Sequence, residues 1–228
     1  MVSVRVGEKF YENPIFLGLR YLSLIHCDFT NSPIRPFMMP NLKTLEVFSD
    51  LGWKASELAT LSQLLALPSL TLFKVLATPV KRMEEEESTL LRTSLPSNLR
   101  RSLCLMMDLY DQTMYQRLLD AIQPNELTIN YPAHLNKRHG WEPFLTAPRS
   151  VERLIIDNCD PLGPPILPAS PFPILFPMFL RLISSDKIPG LKVLAFRACE
   201  RSEMSEQLQM IAECGRRGIQ LYCKDGLL

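Results

Sequence analysis

A nine-residue frame recurs along this chain and constrains its fold more than any other feature. The frame has apolar residues at its first, fourth and sixth positions and cysteine at its ninth. It reads LRYLSLIHC from Leu19, VERLIIDNC from Val151 and LKVLAFRAC from Leu191. Apolar residues at the fourth and sixth positions alternate as they do on a strand, so each copy predicts a short β-strand with one buried face.

Five weaker copies extend the frame over most of the chain. The fourth positions of the eight copies are occupied by Leu22, Leu45, Phe73, Leu103, Leu127, Leu154, Leu194 and Ile219. Successive spacings are 23, 28, 30, 24, 27, 40 and 25 residues, and the longest contains a proline-rich insertion at 160–177. One unit of about 20–29 residues cannot bury its apolar face alone, so we expect neighbouring units to stack around a shared core.

Several segments between these copies have the apolar spacing of helices. They are Trp53–Leu67, Asp111–Ile122, Ile174–Ser184 and Ser202–Gly215. Glycine commonly follows the last helical turn, and we expect the fourth helix to end at Gly215. Strands that alternate with helices predict an α/β fold with a parallel sheet.

The chain resembles leucine-rich-repeat proteins of the cysteine-containing, irregular type, on the frames quoted above. Its loose, proline-rich style is most similar to the substrate-binding region of fungal F-box proteins. The resemblance covers roughly residues 17–228 and implies a single domain, 1–228. It implies an α/β leucine-rich-repeat solenoid, a horseshoe of irregular repeats with parallel strands on the concave face.

The resemblance also implies a function, namely non-catalytic protein recognition as the substrate receptor of an SCF-type ubiquitin ligase. A Skp-type adaptor and a cullin would then be partners. An F-box itself is not recognisable, so the chain is either a fragment of such a protein or lacks that function. Two alternatives stay open: a repeat fragment of another signalling or immune scaffold, and an enzyme on an unrelated α/β fold.

Motifs that carry enzyme chemistry are absent from the sequence. It contains no G-x-S-x-G, no phosphate-binding or dinucleotide-binding glycine loop, and no H-E-x-x-H. The six cysteines include no C-x-x-C pair, and those at the ninth frame position, Cys27, Cys159 and Cys199, are interpreted as turn residues rather than metal ligands or nucleophiles. We therefore predict no enzyme activity, no cofactor and no metal site.

Composition narrows the classes of partner and compartment. A net charge of +1 gives no field that would attract nucleic acid, and the basic stretch Asn136–Trp141 is too short to change this. The uncharged stretch Pro161–Leu180 has the length of a membrane span, but its seven prolines oppose a lipid-exposed helix. With no export signal recognised, we expect reduced thiols and a cytoplasmic or nuclear location. The acidic run Met83–Ser88 is interpreted as a solvated loop.

The frame also predicts which side chains meet a protein partner. If the fourth and sixth positions point inward, the third, fifth and seventh point to solvent on the strand face. The predicted partner-binding residues are Tyr21, Thr44, Glu46, Phe48, Lys74, Arg153, Ile155, Asp157 and Arg197. Tyr21, Phe48 and Arg153 are the residue types that most often anchor interfaces.

Overall fold

The computed structural model describes residues 17–25, 39–49, 55–77, 84–106, 112–130, 150–157, 175–185, 188–197, 204–223 and 226–227. The chain divides into two compact units. The first comprises Met1–Cys104 and Thr113–Ile122, and the second comprises Leu105–Gln112 and Gln123–Leu228. The turn cysteines at positions 27, 159 and 199, the histidines and the Asn136–Trp141 stretch lie outside the described residues.

In the first unit, a helix follows each described strand after the first. Its elements are β1 (Tyr21–Ile25), β2 (Thr44–Ser49), α1 (Ala55–Leu65), β3 (Leu72–Ala77), α2 (Glu85–Ser94), β4 (Arg100–Met106) and α3 (Gln112–Ile122). The strands neighbour one another in chain order, β1-β2-β3-β4, and β2 is parallel to both β1 and β3.

The predicted frame aligns between these neighbouring strands. Leu22 of β1 pairs with Leu45 of β2, which pairs with Phe73 of β3. All three side chains are buried, and so are the sixth-position residues two places further on in each strand. The inward direction predicted for the fourth and sixth positions is therefore confirmed in the first unit.

The second unit repeats this arrangement. Its elements are β5 (Glu126–Asn130), β6 (Arg153–Asp157), α4 (Leu175–Ser184), β7 (Val193–Arg197), α5 (Met204–Arg217), β8 (Gln220–Cys223) and β9 (Gly226–Leu227). The strands from β5 to β8 are parallel and follow chain order, and β9 pairs antiparallel with β8. The α/β class is thereby confirmed, whereas the solenoid form and the single domain stay predictions.

One frame assignment in the second unit is wrong. Leu127, Leu154 and Leu194 pair in register as predicted, but Leu194 then pairs with Leu221 rather than with Ile219. Ile219 is buried, yet it lies in the turn after α5 and not on the strand. Both residues are apolar and two places apart, so the period-two pattern could not distinguish them.

The end of α5 explains this shift. The helix continues past Gly215 to Arg217, and Gly218 adopts a left-handed backbone with φ 68°. The Ile219 amide donates to the Cys214 carbonyl at 2.8 Å, and the Gly218 amide donates to the Gly215 carbonyl at 3.2 Å. These two bonds form a Schellman motif, so Gly218 terminates the helix and the predicted end at Gly215 is wrong.

The acidic run is also a helix rather than a loop. Of the predicted loop, Glu85–Ser88 forms the first turn of α2. The Glu84 amide donates to the Glu87 carboxylate at 2.8 Å, and the Ser88 amide donates to the Glu84 carbonyl at 3.0 Å. Carboxylates next to the positive end of the helix dipole stabilise this start, which the loop interpretation overlooked.

Gln123 offers a test of how helix ends contribute to stability. It directly follows α3 and has φ 48°, a left-handed backbone that costs a non-glycine residue about 1–2 kcal/mol. We expect Gln123→Gly to raise the free energy of unfolding by about 0.5–1 kcal/mol, because glycine avoids that cost but loses more entropy on folding. Urea denaturation would measure the change.

A glutamine-to-glycine substitution inside α3 provides the control. Gln116→Gly in α3 is expected to lower the free energy of unfolding by about 1 kcal/mol, because it loses helix propensity and the 3.0 Å hydrogen bond to Asp120. Equal effects of the two substitutions would contradict a left-handed helix end at Gln123.

Candidate functional site

The strand face of the first unit carries a cluster of polar side chains around one exposed aromatic ring. Tyr21 and Ser23 lie two residues apart on β1 and therefore project from the same face. Ser23 is paired in register with Glu46 of β2, and Glu46 with Lys74 of β3. The register thus places a hydroxyl, a carboxylate and an ammonium group in one row across three strands.

A hydrogen bond joins two members of this row, and Tyr21 lies beside them, paired in register with Thr44. The Ser23 hydroxyl donates to the Glu46 carboxylate at 3.0 Å. The pKa of Tyr21 is raised by partial burial of its hydroxyl, and further by a hydrogen bond to Glu46 and the negative charge of that residue. Yet 44% of Tyr21 remains exposed. Tyr21 therefore lies near the negative charge of Glu46 while much of the residue faces solvent.

The other four predicted contact residues on this face are less exposed than Tyr21. Thr44, Glu46 and Lys74 are half-buried. Phe48 is only 8% exposed, so its predicted exposure is wrong. It pairs with Ile25 on one side and Leu76 on the other, and a large ring between two apolar neighbours is covered by them.

The strand face of the second unit has charged rows on either side of an apolar row. At the third frame position, Arg153 Nε lies 3.6 Å from a Glu126 carboxylate oxygen on the neighbouring strand. At the seventh position, half-buried Asp157 pairs in register with exposed Arg197. Opposite charges on adjacent strands favour the observed register.

In the apolar row between them, one residue is buried although the frame predicts that it is exposed. Ile155 was expected to face solvent but is only 2% exposed. It pairs with Thr128 on one side and Ala195 on the other, so it lies inside the sheet and not at an edge. Burial of a fifth-position residue does not reverse the register, because Leu154 and Ile156 are fully buried as well.

One exposed aromatic residue on this face was missed in the sequence. Tyr222 is 36% exposed and pairs with Ala195, which gives it the fifth frame position of the last copy. Its hydroxyl donates to the Gln220 side chain at 3.3 Å. The signal was present, because aligning Leu221 rather than Ile219 with Leu194 would have identified Tyr222 as a face residue.

The described residues also include two cysteines whose environment is defined. Cys104 is half-buried and Cys214 is buried, and neither is in a disulfide. No group of three histidine, cysteine or carboxylate residues in the described ranges could hold a metal ion. None of the helices within those ranges is long and apolar enough to span a membrane.

No protein-family model matches the chain, and a search of the curated proteins finds no significant match.

Proposed function

We propose that this chain is a leucine-rich-repeat solenoid that recognises a protein partner on its strand face without catalysing a reaction. Two observations support the repeat architecture: equivalent frame positions pair strand by strand within each unit, and helices connect several of these parallel strands. In repeat proteins, the strand side commonly provides the binding surface.

The exposure of the Tyr21 ring on the strand face is the observation that supports a recognition function most directly. An exposed tyrosine offers a large, rigid aromatic ring with only two side-chain torsions, so it loses little conformational freedom when a partner packs on it. The neighbouring residues Glu46 and Lys74 have opposite charges and are half-buried. A partner would therefore place an apolar side chain on Tyr21 and complementary polar groups beside it.

The biological setting follows from the resemblance to fungal F-box proteins. We propose that the chain selects substrates for an SCF-type ubiquitin ligase, as part of a protein that also binds a Skp-type adaptor and, through it, a cullin. Affinity capture of the full protein from its own cells with an antibody against this chain, followed by quantitative mass spectrometry, tests this setting. Absence of the adaptor and the cullin would remove the ubiquitin-ligase proposal while leaving the recognition surface to be tested by substitution.

The substitution test compares Tyr21→Ala with Leu90→Ala. Leu90 is a matched control because it is 38% exposed in the same unit but lies on α2 rather than on a strand. We expect Tyr21→Ala to lower recovery of the specific partner at least about tenfold, as for an interface anchor. Leu90→Ala should leave recovery unchanged, and equal recovery with both variants would contradict the proposed surface.

A further inference from the structure

Helix α5 has an exposed apolar stripe in addition to its buried face. Met210 and Cys214 are buried at 0% and 1% exposure. On the other side, Met204, Leu208 and Ile211 are 74%, 59% and 37% exposed. This side of α5 therefore leaves three large apolar side chains in water.

The spacing of the stripe is that of a helix-pairing seam. Met204, Leu208, Ile211 and the exposed Gly215 follow one another at intervals of four, three and four residues. This is the alternation of core positions in a heptad, which keeps one side of a helix turned toward a partner helix. We define these four residues as the α5 seam.

No charged residue occupies the heptad positions that flank the α5 seam. Those positions hold Ser205, Gln207, Ala212 and Cys214. The charges of Glu213 and Arg216 compensate each other, since the Arg216 guanidinium donates to the Glu213 carboxylate, with Nε at 3.0 Å. Two copies of this surface could approach without like-charge repulsion at the flanks.

We propose that the α5 seam is a homodimer interface in which a second copy of α5 packs antiparallel across a two-fold axis. An axis between Leu208 and Ile211 sets Leu208 of each copy against Ile211 of the other. The same axis sets Met204, the largest exposed side chain of the seam, against Gly215. The surface is therefore complementary to itself, as a two-fold interface requires.

The room at Gly215 supports this antiparallel arrangement. A Cβ atom built there would meet no heavy atom within 4 Å, so the flexible Met204 side chain of the second copy has space to pack. A parallel pair would place methionine against methionine and glycine against glycine, which leaves crowding at one end and a void at the other. Antiparallel helix dipoles also attract each other.

Sedimentation of the purified chain under reducing conditions, over a range of concentrations, tests the interface. We expect a concentration-dependent dimer for the unmodified chain and a monomer for Leu208→Asp. Leu90→Asp, which adds the same charge at an exposed leucine outside the seam, should leave the dimer intact. Circular dichroism would establish that each variant keeps its helix and strand content.

The Gly215→Leu variant distinguishes specific pairing through the α5 seam from non-specific hydrophobic association. Leucine favours the helix and adds exposed apolar surface, so an indiscriminately adhesive patch would associate more strongly. Because leucine fills the space for Met204, the seam predicts at least tenfold weaker dimerisation. A monomeric unmodified chain, a dimeric Leu208→Asp variant, or unchanged or tighter association of Gly215→Leu would each overturn the proposal. Tyr21→Ala should remain dimeric, so this result is independent of the strand-face function.

Discussion

Replacement of Phe196 by alanine is expected to lower the free energy of unfolding by about 3–5 kcal/mol, as for other large aromatic residues removed from a core. Phe196 lies at the sixth frame position of β7 and is 2% exposed. Its ring contacts that of the fully buried Phe179 on α4, with centroids 5.6 Å apart and ring planes at 79°. The substitution would leave a cavity where helix and strand meet.

The edge-to-face geometry predicts a specific coupling beyond the lost volume. In a double-mutant cycle with Phe179→Leu and Phe196→Leu, we expect an interaction energy of about 0.5–1.5 kcal/mol between the two rings. Urea denaturation followed by circular dichroism would supply the four stabilities. Additive losses would show that the two rings contribute only buried area and volume.

Ser184→Ala provides the control for this pair. Ser184 is exposed at the end of α4, the helix that carries Phe179, and its replacement should change stability by less than about 0.5 kcal/mol. A loss below about 1 kcal/mol for Phe196→Ala would contradict the tight packing of α4 on β7.

The strand cores were predictable from the sequence because their signal is local. Leu154 and Ile156 are apolar residues two places apart, and the same spacing recurs at Leu194 and Phe196, whereas the residues between and beside them vary in type. Stacked parallel strands need the same face buried in each copy, so the frame directly identifies the core. The α/β class followed from the helical segments between these strands.

Exposure on the opposite face was less predictable because it depends on neighbouring strands. Ile155 and Tyr222 occupy equivalent frame positions, yet one is buried and the other exposed. Ile155 lies between two strands, whereas Tyr222 is followed in the sheet only by the two residues of β9. The sequence defines which residues share a face, but their coverage depends on side chains contributed by residues distant in the chain.

The start of α2 shows a different limit of sequence patterns. Its first turn contains Glu85, Glu86 and Glu87, and Leu91 is its one buried residue. A search based on apolar periodicity therefore gives a weak helix signal here. Capping and dipole interactions supply much of what defines the start of the helix, and such contributions depend on residue identity at single positions.

Arg101 of β4 links two helix-to-strand turns in the first unit, and this contact was not evident from the sequence. One terminal nitrogen of its guanidinium donates to the Ile122 carbonyl at the end of α3, and the other donates to the Pro96 carbonyl that follows α2. Both distances are 3.1 Å. Partial burial lowers the pKa of Arg101, but an arginine side chain remains charged at neutral pH.

The second unit contains a similar contact. The Arg217 guanidinium at the end of α5 donates to the carbonyl of Ile183 in the last turn of α4 and, at 3.5 Å, to that of Ile188. The last carbonyl groups of a helix lack hydrogen-bond partners within the helix. A cation that donates to them supplies these bonds and is attracted by the negative end of the helix dipole. Each unit thus uses an arginine to join backbone carbonyls near helix ends.

We therefore expect Arg101→Ala to lower the free energy of unfolding by about 2–4 kcal/mol, since hydrogen bonds to charged groups contribute about 1.5–3 kcal/mol each and are not fully additive. Arg101→Lys should recover only part of this loss, because a single ammonium group cannot reproduce the planar fork that reaches both carbonyls. The adjacent and exposed Arg100 is the matched control, and Arg100→Ala should cost less than about 1 kcal/mol. Hydrogen exchange would locate the effect, with faster exchange expected in α3 and in the turn before β4. If Arg101→Ala and Arg100→Ala were equally mild, the two turns would be stable without the bridging guanidinium.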